Sequence, residues 1–407
     1  MNWRKKSKKD WGRLDLNSNK SSKWAISDFV EIIGGGTPKT SISEYWNGSI
    51  PWLSVKDFGN DDRYVFETEK TITNEGLNNS STKLLQKDDI IISARGTVGE
   101  LAMLPFPMAF NQSCYGIRPK DDSIDKTFLY YLLRNSVQLL RKNTHGSVFD
   151  TITRDTFKGI EVEVPSIEEQ VKIAGILSSL DDKIAENKKI NHHLAEIAKS
   201  IFDSYFIDLS PYDGVMPDDW QLSNLTGIAN YLNGLAMQKH RPQSNEQGLP
   251  VLKIKELRQG FTDSTSDLCS SNIRRDYIIH DGDVIFSWSG SLLVDFWTGG
   301  DCGLNQHLFK VSSTYDKWFY YAWTKHHLDR FVKMAADRAT TMGHIKRDAL
   351  EKAEVLIPSN KDYQEIGNKL KPIYDQIINN RVESRKLVAL RDTLLPKLMS
   401  GEISVTD

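Results

Sequence analysis

The sequence predicts a mixed α/β (α+β) protein: two pseudo-symmetric globular domains joined by two long antiparallel helices that form a coiled-coil spacer. Three observations carry this. An apolar seam with heptad spacing runs through 166–206. The same seam returns 193 residues later. The segments that precede the two seams repeat one another landmark by landmark, and repeats decide architecture before any local reading does.

The first seam is Ile173, Leu177, Leu180, Ile184, Asn187, Asn191, Leu194, Ala198, Ile201 and Tyr205, with charged residues between. Pro165 and a Ser-x-x-Glu capping box, Ser166 to Glu169, mark its start. The second seam follows Pro358 and reads Ser359, Ile366, Leu370, Ile373, Ile377, Asn380, Leu387 and Leu394. Asn187 and Asn380 hold the same seam position. A buried seam asparagine costs stability but fixes register, because its amide demands a polar partner. Alone, such helices also fit a generic coiled-coil connector; here they do not stand alone. Pro372 lies inside the second helix and predicts a bend near Lys371.

Each half opens on a tryptophan-led segment, at Trp24 and at Trp220. Each continues with a strand-like run after a proline, PWLSVK at Pro51 and PVLKIK at Pro250. A polar turn then feeds a β-rich run, KDDIIISARGTVG at Lys87 and HDGDVIFSWSGS at His280. The pairs Asn111-Gln112 and Asn305-Gln306, the aromatic segments DKTFLYYLL and DKWFYYAW, and Ile-x-Arg-Asp at Ile152 and Ile345 follow in the same order. Alternating strands ending in proline, GIEVEVP and KAEVLIP, close both units. The expected layout is a basic tail over 1–23, domains over 24–165 and 207–358, helices over 166–206 and 359–400, and a short tail over 401–407. The stretches 59–82 and 233–248 share little with their counterparts, which suggests one frame carrying two different surfaces.

With 39% hydrophobic and 26% charged residues, the chain buries a core as an ordinary globular protein does. No apolar run approaches a membrane span, and the N-terminus lacks the apolar stretch of a signal peptide. Three cysteines without CxxC spacing read as reduced thiols in a cytoplasmic protein. The net charge of −2 neither announces nor excludes nucleic acid, since binding depends on where cations cluster. The first 23 residues carry eight Lys/Arg against two Asp, a solvated tail or a nonspecific phosphate contact.

Several chemistries are missing. No Asn/Asp-Pro-Pro-aromatic run is present to hold a flipped adenine, and no Gly-x-x-x-x-Gly-Lys-Ser/Thr loop to cradle nucleotide phosphates; Pro38 intrudes in the nearest candidate, Gly34 to Thr40. Pro217-Asp218 lacks the following carboxylate-x-Lys strand of a nuclease. The pairs His192-His193 and His326-His327 read as surface residues, since helical neighbours point apart. Tyr130, Tyr131, Tyr320 and Tyr321 read as core.

The order of Gly35 to Pro38, PWLSVKD, DDIIISARGTVG, FNQS, the proline-led helix starts, PDDW at Pro217 and the terminal LLPKLMSGEI resembles the specificity subunit of type I restriction–modification enzymes. The likeness spans Trp24 to Ile403. It implies that each domain recognises one half of a split, asymmetric target in double-stranded DNA and that the helices set the unread gap. It implies no catalytic centre, metal or cofactor in this chain. Two methyltransferase subunits and motor–nuclease subunits would bring S-adenosylmethionine, ATP and Mg; no membrane is involved. About 35 helical residues make a rod of about 50 Å, on the order of 15 base pairs of duplex. The second half has Asn233 to Ala236 where the first has Gly-Gly-Thr-Pro, which leaves that loop's role open. The alternative is a two-headed protein–protein adaptor that reads no DNA. A reader needs a positive concave face, and an adaptor needs apolar patches.

Candidate DNA contacts in the first half are Thr37, Lys39, Lys56, Arg95, His145, Ser147 and Arg154. Lys56 follows a strand at the rim, and Arg95 sits in a Gly-flanked turn open to a phosphate. In the second half they are Gln238, Lys239, Lys253, Lys255, Ser289, Thr341, His344, Lys346 and Arg347. Arg154 and Arg347 recur at equal positions, which fits either DNA contact or an ion pair with Asp155 and Asp348.

Overall fold

A computed structural model describes residues 23–59, 61–143, 151–336, 345 and 347–405. The chain divides into two units, 1–185 with 387–407 and 186–386. The division falls inside both long helices, Ile167–Phe202 and Asn360–Met399, so each unit contains a segment of each.

The first unit stacks two four-stranded sheets. One runs Val30–Gly34, Cys114–Pro119, Ile90–Ser93, Leu101–Met103 and is antiparallel throughout. The other runs Lys70–Ile72, Trp46–Leu53, Met108–Phe110, Leu84–Leu85, and its two central strands are parallel, with Trp52 beside Ala109. Strand Lys23–Ala25 pairs with Glu161–Glu163, which joins the tryptophan-led start to the closing strand.

The second unit repeats this strand for strand. Its antiparallel sheet is Asn230–Asn233, Leu308–Ser312, Val284–Ser287, Leu293–Phe296. Its mixed sheet is Leu268–Cys269, Leu249–Leu252, Cys302–Leu304, Ile278–Ile279, again with a parallel central pair. Gln221–Asn224 pairs with Glu354–Ile357.

The unbroken apolar runs have a layered cause. Successive strand residues face opposite sides. Ile90 and Ile92 join the cluster under helix Lys126–Asn143, while Ile91 joins Leu53, Leu85 and Phe110 of the other sheet. Val284 and Phe286 likewise face helix Lys317–His326, and Ile285 faces Leu252 and Leu304. A strand covered on both faces needs no polar alternation. Tyr130, Tyr131 and Tyr320 are buried and Tyr321 is partly buried in these clusters, as their apolar company predicts.

Both long helices start at their capping boxes. The Ser166 Oγ donates to Glu169 at 2.8 Å, and Ser359 Oγ to Asp362 at 3.1 Å. In the first unit the two helix segments run antiparallel, with Ile173 and Leu177 packed in one cluster with Leu395 and Leu398. In the second unit the Asn187 amide donates to Glu383 at 2.7 Å, and Asn380 donates to Asn191 Oδ1 at 2.9 Å. The two register asparagines are buried: the Asn380 side chain bonds Asn191 and Gln376, and the Asn187 amide reaches the Asn380 backbone carbonyl at 3.4 Å.

The second helix continues through Pro372. Two expectations need correction. His327 is buried, its ring nitrogen 2.8 Å from the Glu354 carbonyl, because it faces the closing strand. Asp155 pairs with Lys158 at 2.7 Å and Asp348 with Lys352 at 3.9 Å, so neither holds the neighbouring arginine.

Candidate nucleic-acid interface

Each unit carries a cleft at the carboxyl ends of its parallel strand pair, a place where several loops leave a sheet in one direction. In the first unit it is about 370 Å³, lined by Trp52, Ser54, Lys56, Glu69, Lys70, Arg95, Asn111 and Ser113 among others. In the second it is about 750 Å³ and includes Gln238, Arg241, Lys253, Lys255, Asp267, Asn305, Gln306 and His307.

The cleft floor follows from the local sequence. After Leu53, Ser54 N and Oγ donate to Asp57 at 2.6 and 2.8 Å, which turns the chain and leaves Lys56 outward. After Leu252, Lys253 N donates to the buried carboxylate of Glu256 at 3.2 Å, presenting Lys255 in the same way. The recurring Asn-Gln pair forms the facing turn. Asn111 N donates to the Leu53 carbonyl at 2.9 Å and Asn305 N to Leu252 at 3.1 Å. Their side-chain oxygens accept from Ser113 N and His307 N at 3.1 and 3.3 Å. These asparagines therefore shape the turn, and the residues after them face the cleft.

Two glycine positions are matched. A Cβ on Gly35 would lie 2.0 Å from the Asn111 carbonyl oxygen, and one on Gly234 would lie 2.2 Å from that of Asn305. Gly234 thus does in the second half what Gly35 does in the first, and only glycine permits that approach. The turns at Arg95-Gly96 and Ser289-Gly290 also match, each glycine in the left-handed region at φ +82 and +65.

The clefts share charge but not detail. The first sets Lys56, Lys70 and Arg95 against Glu69; the second sets Arg241, Lys253 and Lys255 against Asp267. Lys56 reaches Glu69 at 3.8 Å, and the Lys70 ammonium sits 5.7 Å over the Trp46 ring. Lys253 pairs with Asp267, and that hydrogen bond holds the Asp267 carboxyl below its usual range. Lys255 donates to Thr265 Oγ1 at 2.7 Å and lies 3.4 Å from Asp263. The hydrogen bond from Thr265 pulls Asp263 down to about 2. A phosphate entering either cleft competes with carboxylates for exposed ammonium groups.

Of the sequence candidates, Lys56 and Arg95 meet in one cleft and Gln238, Lys253 and Lys255 in the other. Thr37 donates to Gln112 beside the first cleft. Ser289 is buried, and its hydroxyl lies 3.1 Å from His307 Nδ1, so it orients the imidazole rather than facing solvent. Lys39, Lys239, Arg154 and Arg347 are exposed and do not line these clefts; Arg154 reaches the Ile32 carbonyl at 3.4 Å. His145, Ser147, Thr341, His344 and Lys346 lie outside the described residues, as does the basic tail through residue 22. Sequence reasoning missed Lys70, Arg241, Gln306 and His307. The Asn305-Gln306 landmark contains one of these and adjoins His307, but in the sequence it served only as a marker of the repeat. Among the described residues His192, His193 and Glu196 bring exposed ligand atoms within 4.8 Å of one another, on one helix and away from either cleft.

Comparison with known proteins bears on the family and the fold. The model of the type I restriction modification DNA specificity domain matches twice, over residues 20–196 and 217–386. The specificity subunit of the type I restriction enzyme MjaIX from Methanocaldococcus jannaschii is 30% identical, over 94% of this chain and 93% of that protein. The HindI specificity subunit of Haemophilus influenzae is 21% identical over 70% of this chain and 79% of its own length. The crystal structure of a type I restriction–modification S subunit from M. genitalium has the same fold, with a TM-score of 0.57 at 15% identity, covering 95% of this chain and 98% of that one. The chain belongs to the type I restriction–modification DNA specificity family, the non-catalytic subunits that recognise the DNA target.

Proposed function

We propose that each cleft reads one half of a split, asymmetric DNA sequence, and that the paired helices set the unread gap between the halves. The observation that carries this reading is the duplicated cleft. The frame is equal in both units, and lining side chains at matched places differ: Ser54 against Lys253, Ser113 against His307. Cations in a cleft hold phosphates and fix register, while amide, imidazole and hydroxyl groups read base edges. Two equal frames with unlike linings select two unlike half-sites. Two methyltransferase subunits dock on this chain in the cytoplasm and bring S-adenosylmethionine; motor–nuclease subunits bring ATP and Mg chemistry. Among the described residues no helix is long and apolar enough to cross a membrane.

The test is to map methylated sites in cells that express this chain with its partner subunits. A split motif with a fixed gap is the expected result, and a continuous motif overturns the reading. His307→Ala relaxes base choice in one half only. Lys56→Ala and Lys255→Ala each weaken binding without changing the motif and lower the salt slope by about one. Four residues added to both helices, after Ala185 and after Lys386, lengthen the stalk by about 6 Å and the gap by about one to two base pairs, with both half-motifs kept.

A further inference from the structure

In the first unit the second long helix buries a guanidinium. Arg391 is 1% exposed and lies on the heptad seam between Leu387 and Leu394. Its Nη1 donates to Asp181 of the first long helix at 2.7 Å, its Nη2 to Asp61 at 2.6 Å and its Nε to Asp392 at 2.9 Å. Asp61 sits in the stretch that differs most between the halves, in the left-handed region at φ +64. It also receives Arg134 of helix Lys126–Asn143 at 2.7 Å. Tyr131 of that helix donates to Asp181 at 2.6 Å. One cluster therefore ties a recognition-domain loop and a recognition-domain helix to both long helices.

Stability alone does not account for it. The residue 193 positions earlier is Ala198, buried in the apolar cluster of the second unit, so the fold accepts a small apolar side chain at that seam position. A buried ion cluster gains little over apolar packing, because desolvation of the charges opposes their attraction. Arg134 also keeps a buried Nε without a partner. What charge-assisted bonds supply and apolar packing lacks is direction: a guanidinium satisfies three carboxylates in one arrangement only. Burial pushes the Asp61 carboxyl up, but Arg134 and Arg391 outweigh it and hold the group ionised.

We infer that Arg391, with Asp61 and Asp181, is a positioning set that fixes the direction in which the first recognition domain leaves its helices and thereby holds the gap to one length. This rests on the reading of the chain as a split-target reader. None of the three residues lines a cleft, so the half-motifs are independent of them.

The experiment uses the chain in complex with its methyltransferase subunits and maps methylation over sites that carry both half-motifs at every gap. Arg391→Met alone strands the buried carboxylate of Asp181, so the informative variant is Asp61→Asn, Asp181→Asn and Arg391→Met together. The expected result is unchanged half-motifs, a melting temperature within a few degrees of the parent, and at least tenfold more methylation at gaps one base pair longer or shorter. An assembled variant that keeps a single gap overturns the inference. So does one that loses a half-motif, which would make the cluster part of readout, and so does failure of both variants to assemble, which would make it structural. A parent chain with no split motif overturns the functional reading itself, which separates the two failures.

Discussion

Where the first unit grips its long helices, the contacts converge on charge: Arg391, Arg134, Asp61 and Asp181, with Arg63 to Asp182 at 2.5 Å alongside. Where the second unit does so, the contacts are aromatic. Phe202 and Phe206 pack on Trp323 at 5.1 and 5.4 Å, and Phe206 continues to Trp220, Trp318 and Phe319. Trp318 and Trp323 leave buried indole N–H groups without partners, which fits a joint driven by packing. Ions in the second unit, Arg381 to Asp295 and Arg385 to Asp281, stay about one-third exposed. Apolar burial is strong but lacks direction, whereas a buried ion cluster is weak on balance and directional. One strand order can therefore be fastened for strength in one half and for angle in the other.

Three sets of substitutions break or sharpen that contrast. Phe206→Ala removes the centre of the aromatic joint and costs the second unit about 3–5 kcal/mol. Hydrogen exchange by unit reads this, and equal loss of protection in both units would erase the contrast. Breaking the ion cluster by Arg391→Met costs about 3 kcal/mol, because the Asp181 carboxylate stays buried and loses its cation. Arg385→Met, at a bidentate pair about one-third exposed, costs under about 1 kcal/mol. Urea denaturation of the two variants side by side checks this, and equal costs would mean that burial does not separate the joints. The smallest effect is expected to be equal in both halves. Ser166→Ala and Ser359→Ala each remove one helix cap, for about 1 kcal/mol.

Much of the fold was legible because its signals are local. Seam periodicity and alternating runs depend on residues a few positions apart and were written twice, and the capping box of the first helix was equally local. Arg391 stood in the sequence as a charge on an apolar seam, but its three partners come from segments more than two hundred residues away in two of three cases. The cleft shows the same limit. Lys56 and Arg95 were recognisable by their turns, while Lys70 and Arg241 joined the site only because strand pairing brought their segments to it. Ser289 looked like an exposed hydroxyl and is buried, since nothing local says which side of a turn faces the core.

By itself the sequence determined the duplication, the helices and their starts, and the family, because order and period survive without coordinates. Only the tertiary structure decided which cations share a cleft, that Gly234 replaces Gly35, and that one joint is ionic and the other aromatic. Those outcomes depend on contacts between segments far apart in the chain, and a side chain's partner is chosen by the fold that surrounds it rather than by its neighbours in sequence.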